Sequence, residues 1–147
     1  MWQDILIILG GFLTAAGFAL LFHVPVRQAL ICGGIGLLAG SANLAAVNMG
    51  ATSVLSTFLA TLLVALLSHG AARLEKMPVT VFLIPCIVPF VPGTGMFQIV
   101  YSLIESKPED AIQYFFKTME IAGAIALAIF SVDTLLKRKV KVHTKCT

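Results

Sequence analysis

From Gln28 to Ala72 the chain contains no Asp, Glu, Lys or Arg. A surface helix of a soluble domain carries a charged or polar face opposite its apolar stripe, and nothing in this stretch supplies charge for one. A membrane-spanning helix needs about 20 mostly apolar residues. The stretch is therefore too long for one span and suits two. The whole composition agrees: of 147 residues, 59% are hydrophobic and 12% charged, against about a quarter charged in an ordinary soluble domain. Ten Lys and Arg with seven Asp and Glu cannot cover a globular core of this size. The composition also excludes a disordered chain, which needs low hydrophobicity.

The remaining spans are set by the polar interruptions. Ile5 to Phe22 is uncharged and lacks both a basic leader and an A-x-A cleavage pattern, so it reads as a retained helix rather than a signal peptide. His23 to Arg27 is a connector in which Pro25 starts the next helix. Asn48-Met49-Gly50 breaks the long uncharged stretch, with Thr52 or Ser53 capping the third helix. Arg73, Glu75 and Lys76 form the next connector, and Glu105 to Asp110 a hydrophilic turn. The expected fold is all-α and polytopic, a single membrane domain over 1–136. Its five transmembrane helices run at about 5–23, 28–47, 53–72, 78–104 and 115–136, the fourth broken by Pro and Gly. A four-span version, with 28–47 shallow or re-entrant, is the alternative. Residues 137–147 form a basic tail, which suits anionic lipid headgroups better than nucleic acid.

Five helices place connectors one and three on the side of the C-terminus. That side collects Arg27, Arg73, Lys76, Lys137, Arg138, Lys139, Lys141 and Lys145, and the other side only Lys107 and Lys117. Basic residues favour the cytoplasm, so the N-terminus is expected outside and the C-terminus inside. Five spans use about 100 residues, which leaves no room for a soluble catalytic domain.

The chemistry-bearing signals are few. There is no phosphate-binding G-x-x-x-x-G-K-[ST], no H-E-x-x-H and no nucleophile elbow, so neither an enzyme nor a cofactor or metal is expected. The three cysteines give no disulfide framework. The strongest feature is Pro85-Cys-Ile-Val-Pro89-Phe-Val-Pro92-Gly93-Thr94-Gly95. Each proline removes a donor and frees the carbonyl four residues earlier, here those of Val81, Pro85 and Val88. Non-helical backbone at membrane depth is tolerated only against protein or a water-filled cavity, and transporters coordinate substrates with such broken helices. Pro85, Pro89, Pro92, Gly93, Thr94 and Gly95 are therefore expected to line a substrate pathway near the bilayer midplane, with Gly93 as the site of close backbone approach. Asn43 and Glu120, in the outer halves of their helices, are the polar candidates to complete it. Glu120 either faces the pathway or reaches the interface beside Lys117. His69 has a side chain able to relay protons, although a histidine near a helix end more often reaches the interface. Thr57 and Thr61 share a helix face, and back-bonding to their own helix accounts for them.

Several of these stretches together resemble the YjjB family, the small subunit of split threonine/serine exporters of the ThrE type. They are Gly17-Phe-Ala-Leu-Leu-Phe-His-Val-Pro-Val-Arg27, Gly33-Gly-Ile-Gly36, Ser56-Thr-Phe-Leu-Ala-Thr-Leu-Leu-Val64, and Pro78 together with Ile87-Val-Pro-Phe-Val-Pro-Gly93. The resemblance implies secondary export of small amino acids, or in some members of a dicarboxylate such as succinate, across a bacterial cytoplasmic membrane. It also implies a larger YjjP-type partner subunit. Without that partner, a homo-oligomer is the other source of a second half. The competing reading is a non-transporting scaffold subunit, with the pathway wholly in the partner.

The charge asymmetry makes a direct prediction. In a cysteine-free background, a membrane-impermeant thiol reagent added outside labels Ser106→Cys and leaves Thr144→Cys unlabelled; the reverse pattern overturns the orientation.

Overall fold

A computed structural model of the chain describes residues 2–143, with side chains over 5–136. The side chains of the basic tail, and Cys146, lie outside the described residues. All regular structure among the described residues is helical: α1 (Trp2–Leu21), α2 (Val26–Asn48), α3 (Ser53–Glu75), α4 (Thr80–Ile87), a 3-10 turn (Val88–Phe90), α5 (Gly93–Ile104) and α6 (Pro108–His143).

Three of these helices, α2, α3 and the 108–136 part of α6, are long and apolar enough to cross a membrane. Thr80–Phe90 and Gly93–Ile104 pass that test only together, as one span bent by 44°. The described apolar part of α1, Ile5–Leu21, is shorter than a full span. The structure is thus that of a helical membrane protein with the expected break, but helix length alone supports three or four spans rather than five. A re-entrant break at 28–47 finds no counterpart in α2, which runs unbroken for 23 residues.

The last helix differs from expectation at both ends. It starts at Pro108 rather than near 115 and continues past Leu136 to His143. Pro108 can open the helix because its missing N–H would be an orphan there. Glu109 and Asp110 in the first turn are favoured by the positive end of the helix dipole. The hydrophilic turn shrinks to Glu105–Lys107.

Four helix ends close in the same way. His23, Gly50, Lys76 and Ser106 all take positive φ, from 53° to 85°. The amide of the next residue in each case reaches back to a carbonyl in the last helical turn: Val24 to Ala19, Ala51 to Ala46, Met77 to Ala72 and Lys107 to Ser102, at 2.9–3.0 Å. This left-handed cap satisfies carbonyls that the helix end leaves open. In the last of these turns Lys107 Nζ donates to Glu105 Oε2 at 3.0 Å. That ammonium, and then the Tyr101 hydroxyl, hold the Glu105 carboxyl below its ordinary range. At the other end of the bundle Glu75 ties α2 to α3, with Arg27 Nη2 at 3.3 Å and Gln28 Nε2 at 3.3 Å.

The core is built mostly from small residues. Ala15, Ala19, Ala29, Cys32, Ile35, Ala39, Val64, Ala72, Phe82 and Cys86 form one buried cluster where α1, α2, α3 and α4 meet. α6 packs on α3, and α5 packs on α6. The bundle therefore has two parts, α1–α2–α4 and α5–α6, with α3 between them.

In lipid, helices associate through close packing rather than hydrophobic expulsion, and α1 and α2 show how close. A Cβ on Gly36 would lie 2.6 Å from the Gly11 carbonyl oxygen and 2.7 Å from Ala15 Cβ. One on Gly40 meets nothing within 4 Å. The pair that matters is thus Gly36 with Gly11 across the helices, not Gly36 with Gly40 along one. Gly36→Ala forces backbone against backbone and is expected to cost about 1–3 kcal/mol, the usual range for overpacking. Gly40→Ala should leave stability unchanged. Reversible unfolding in mixed micelles compares the two, and equal stabilities would contradict this crossing.

Candidate substrate site

The break in the fourth segment is the work of two prolines. Pro89 and Pro92 offer no amide to the ladder. The helix tightens to 3-10 at Val88–Phe90, and Val91 turns extended at φ −62°, ψ 128°. Pro92 stands at φ −75°, ψ 59°, and the helix restarts at Gly93. Three of the remaining donors bond locally: Val91 N–H donates to Val88 O at 3.2 Å, Gly93 N–H to Val91 O at 2.7 Å, and Met96 N–H to Pro92 O at 3.2 Å. Pro85 sits inside α4 without ending it; the carbonyl it orphans, that of Val81, faces the Cys32 thiol at 3.9 Å. Of the three carbonyls expected to be free, those of Val81 and Val88 therefore have partners within the chain.

The kink leaves a cleft of about 300 Å³ between the two parts of the bundle. One wall is the break itself, Pro89 to Pro92. Thr94, Gly95 and Gln98 of α5 form the second, and Tyr114, Lys117, Thr118 and Ile121 of α6 the third. Asn43 of α2 and Thr57 of α3 close the back. Two hydroxyls are committed to their own helices: Thr57 donates to Ser53 O at 2.8 Å and Thr118 to Tyr114 O at 2.7 Å. Asn43 Oδ1 is buried and has no hydrogen-bond partner. Lys117 is exposed at the rim and enters none of the ion pairs among the described side chains. A buried amide oxygen without a donor is costly, and one that lines a cleft is available to a ligand. The cleft thus offers an acceptor at its back and a cation at its mouth.

The structure gathers Asn43, Pro89, Pro92, Thr94 and Gly95 around this one cleft. It places the other three candidates elsewhere. Pro85 is buried in α4 and borders a separate hollow of about 210 Å³ with Phe22 and Val24. Gly93 is exposed, and a Cβ there meets nothing within 4 Å. Glu120 is exposed in a shallow groove between α3 and α6, beside Leu55, Phe58 and Gly123. The close backbone approach falls at Gly95, where an added Cβ would run into the Thr118 hydroxyl. Sequence reasoning passed over Lys117 except as a neighbour for Glu120, and missed Gln98, Tyr114 and Thr118. The available signal was helical spacing: residues 114, 117, 118 and 121 share one face of α6.

Among the described residues no group of three His, Cys, Asp or Glu is placed to hold a metal ion. The sequence model of the family described as Threonine/Serine exporter, ThrE, matches residues 7–135. The chain belongs to the ThrE family. Its apolar helices and its membership together make it a membrane protein of an export family. No solved structure matches the chain.

The Gly95–Thr118 contact sets how closely α5 lies on α6, and so the width of the cleft. Gly95→Ala is expected to lower threonine export several-fold in cells. Thr118→Ala, which removes the obstructing hydroxyl, should restore most of it in the double variant, since contacting residues couple in a double-mutant cycle. Additive losses would show that the contact does not shape the site.

Proposed function

We propose that this chain is the pathway-lining membrane subunit of a secondary exporter of threonine and serine, and that the cleft at the helix break is its substrate site. One observation carries the reading: a buried, partnerless amide oxygen and a free ammonium line the same small cleft. A zwitterionic amino acid presents the matching pair of groups. Its ammonium donates to Asn43 Oδ1, and its carboxylate meets Lys117. A volume of about 300 Å³ is at the small end of ligand pockets, which suits a small amino acid. Succinate fits less well, because a dianion asks for two cations and the cleft offers Lys117 alone. Pro89, Pro92, Thr94 and Gly95 shape the wall, while Pro85, Gly93 and Glu120 lie outside it.

The chain works in a bacterial cytoplasmic membrane with its N-terminus outside and its C-terminus in the cytoplasm. Five segments cross, α1 being the shortest and α4–α5 the broken one. A larger YjjP-type subunit supplies the other half of the pathway. Transporters commonly bind substrate between two repeats, and this chain has a single break.

The test is export from a strain lacking the chain, complemented together with its partner. Asn43→Leu and Lys117→Gln are each expected to raise the threonine concentration needed for half-maximal export about ten- to hundredfold, or about 1.4–2.8 kcal/mol. Both variants should reach the membrane in normal amount. If both export like wild type, the cleft is a packing void and the scaffold reading takes its place.

A further inference from the structure

Hydroxyls in membrane helices usually bond back to a carbonyl of the preceding turn, and Thr14, Thr57, Thr118 and Ser131 do so here. Thr61 and Ser68 do not. Both side chains are fully buried, at 0% exposure, and both Oγ atoms lack a hydrogen-bond partner. With Thr57 they lie on one stripe of α3, since positions 57, 61, 64 and 68 recur every one or two turns. The stripe begins at the cleft, where Thr57 is part of the wall. It ends beside His69, whose Nε2 lies 3.6 Å from Asp133 Oδ1 of α6. That histidine side chain is only 14% exposed. The Asp133 side chain is 39% exposed, so the pair joins α3 and α6 at the edge of the bundle.

We propose that His69 and Asp133 form a proton-binding site that couples export to proton entry, connected to the cleft by the Thr57–Thr61–Ser68 stripe. The inference rests on the transport reading of the cleft. At 3.6 Å the two groups are apart by more than a good hydrogen bond, so a proton arriving on the imidazole draws them together. The proton enters from the aqueous side through the cleft, is held between imidazole and carboxylate, and leaves to the opposite aqueous phase when α3 and α6 separate. Buried water bonds to otherwise unsatisfied polar groups, and Thr61 and Ser68 supply such groups between the two ends.

Asp133 has a further partner besides His69, and the other charges nearby are as follows. On α6, Asp133 is the titratable group that faces His69; the side chain of Lys137 lies outside the described residues. On α3 itself, Arg73 comes one turn later, and Glu75 is engaged by Arg27 and Gln28 of α2. Cys32 of α2 and Cys86 of α4 are buried thiols bonded to backbone carbonyls.

The test uses proteoliposomes holding the full chain with its partner subunit and an internal pH indicator. In wild type, an imposed threonine gradient drives proton movement in the opposite direction. His69→Gln and Asp133→Asn should each reduce that movement at least tenfold while threonine–threonine exchange, which needs no net proton, continues. Thr61→Val should slow proton movement and spare exchange. Undiminished threonine-driven proton movement in His69→Gln overturns the proposal. If wild type shows no threonine exchange, the transport reading has failed instead. The pair is then judged by ring-nitrogen NMR of His69 in the full chain at one fixed pH: Asp133→Asn should change those resonances, since the carboxylate is the group that faces Nε2, and unchanged resonances also overturn the proposal.

Discussion

Backbone polar groups have no water to turn to inside a bilayer, and every departure from a regular helix must be repaired by the protein itself. At Val88–Pro92 this chain meets that demand in the most economical way. Two of the five residues are prolines and bring no amide. The amides of Val91 and Gly93 find carbonyls two or three residues back. These local bonds repair the bend itself, while Phe90 packs against the core and the Cys32 thiol of α2 faces the Val81 carbonyl. The cleft lies on the other side of the kink, toward α5 and α6.

The rest of the architecture depends on which helices approach closely and which do not. Small residues let α1 lie against α2 at Gly11 and Gly36, and α5 against α6 at Gly95. Between these two tight pairs runs α3, with Ala, Ser and Thr at its buried positions. A helix with such a surface can be approached from several directions. It touches α2, α4 and α6, and it carries hydroxyls from the cleft toward the opposite end of the bundle.

Much of this was legible in the chain. The uncharged run after Arg27 announced two helices, and the prolines announced a break, because charge and proline act locally and independently of tertiary context. Asn43 stood out because a lone amide in an apolar helix is conspicuous. The function of α6 was harder to read. Glu120 drew attention as an acid at membrane depth, yet the rotation of α6 turns it into a groove away from the cleft and turns Lys117 toward it. Residues three apart on a helix differ by about 60° in direction, and no feature of the sequence fixes that rotation. His69 and Asp133 lie far apart in sequence, so their meeting depends on the packing of α3 on α6. Gly93 and Gly95 are indistinguishable as letters; only the position of Thr118 separates them.

The left-handed caps at His23, Gly50, Lys76 and Ser106 have a mechanical consequence. Each fastens a connector of a few residues to the helix before it, so α1–α2, α2–α3, α3–α4 and α5–α6 are joined by short elbows with a hydrogen bond back into the preceding helix. The backbone between α4 and α5 is different: Val91 and Pro92 are held by single local bonds and border open space. The α5–α6 hairpin is therefore carried on two supports of different kind, this bare backbone joint and its broad packing on α3, so whatever sets the α3–α6 contact also sets the opening of the cleft.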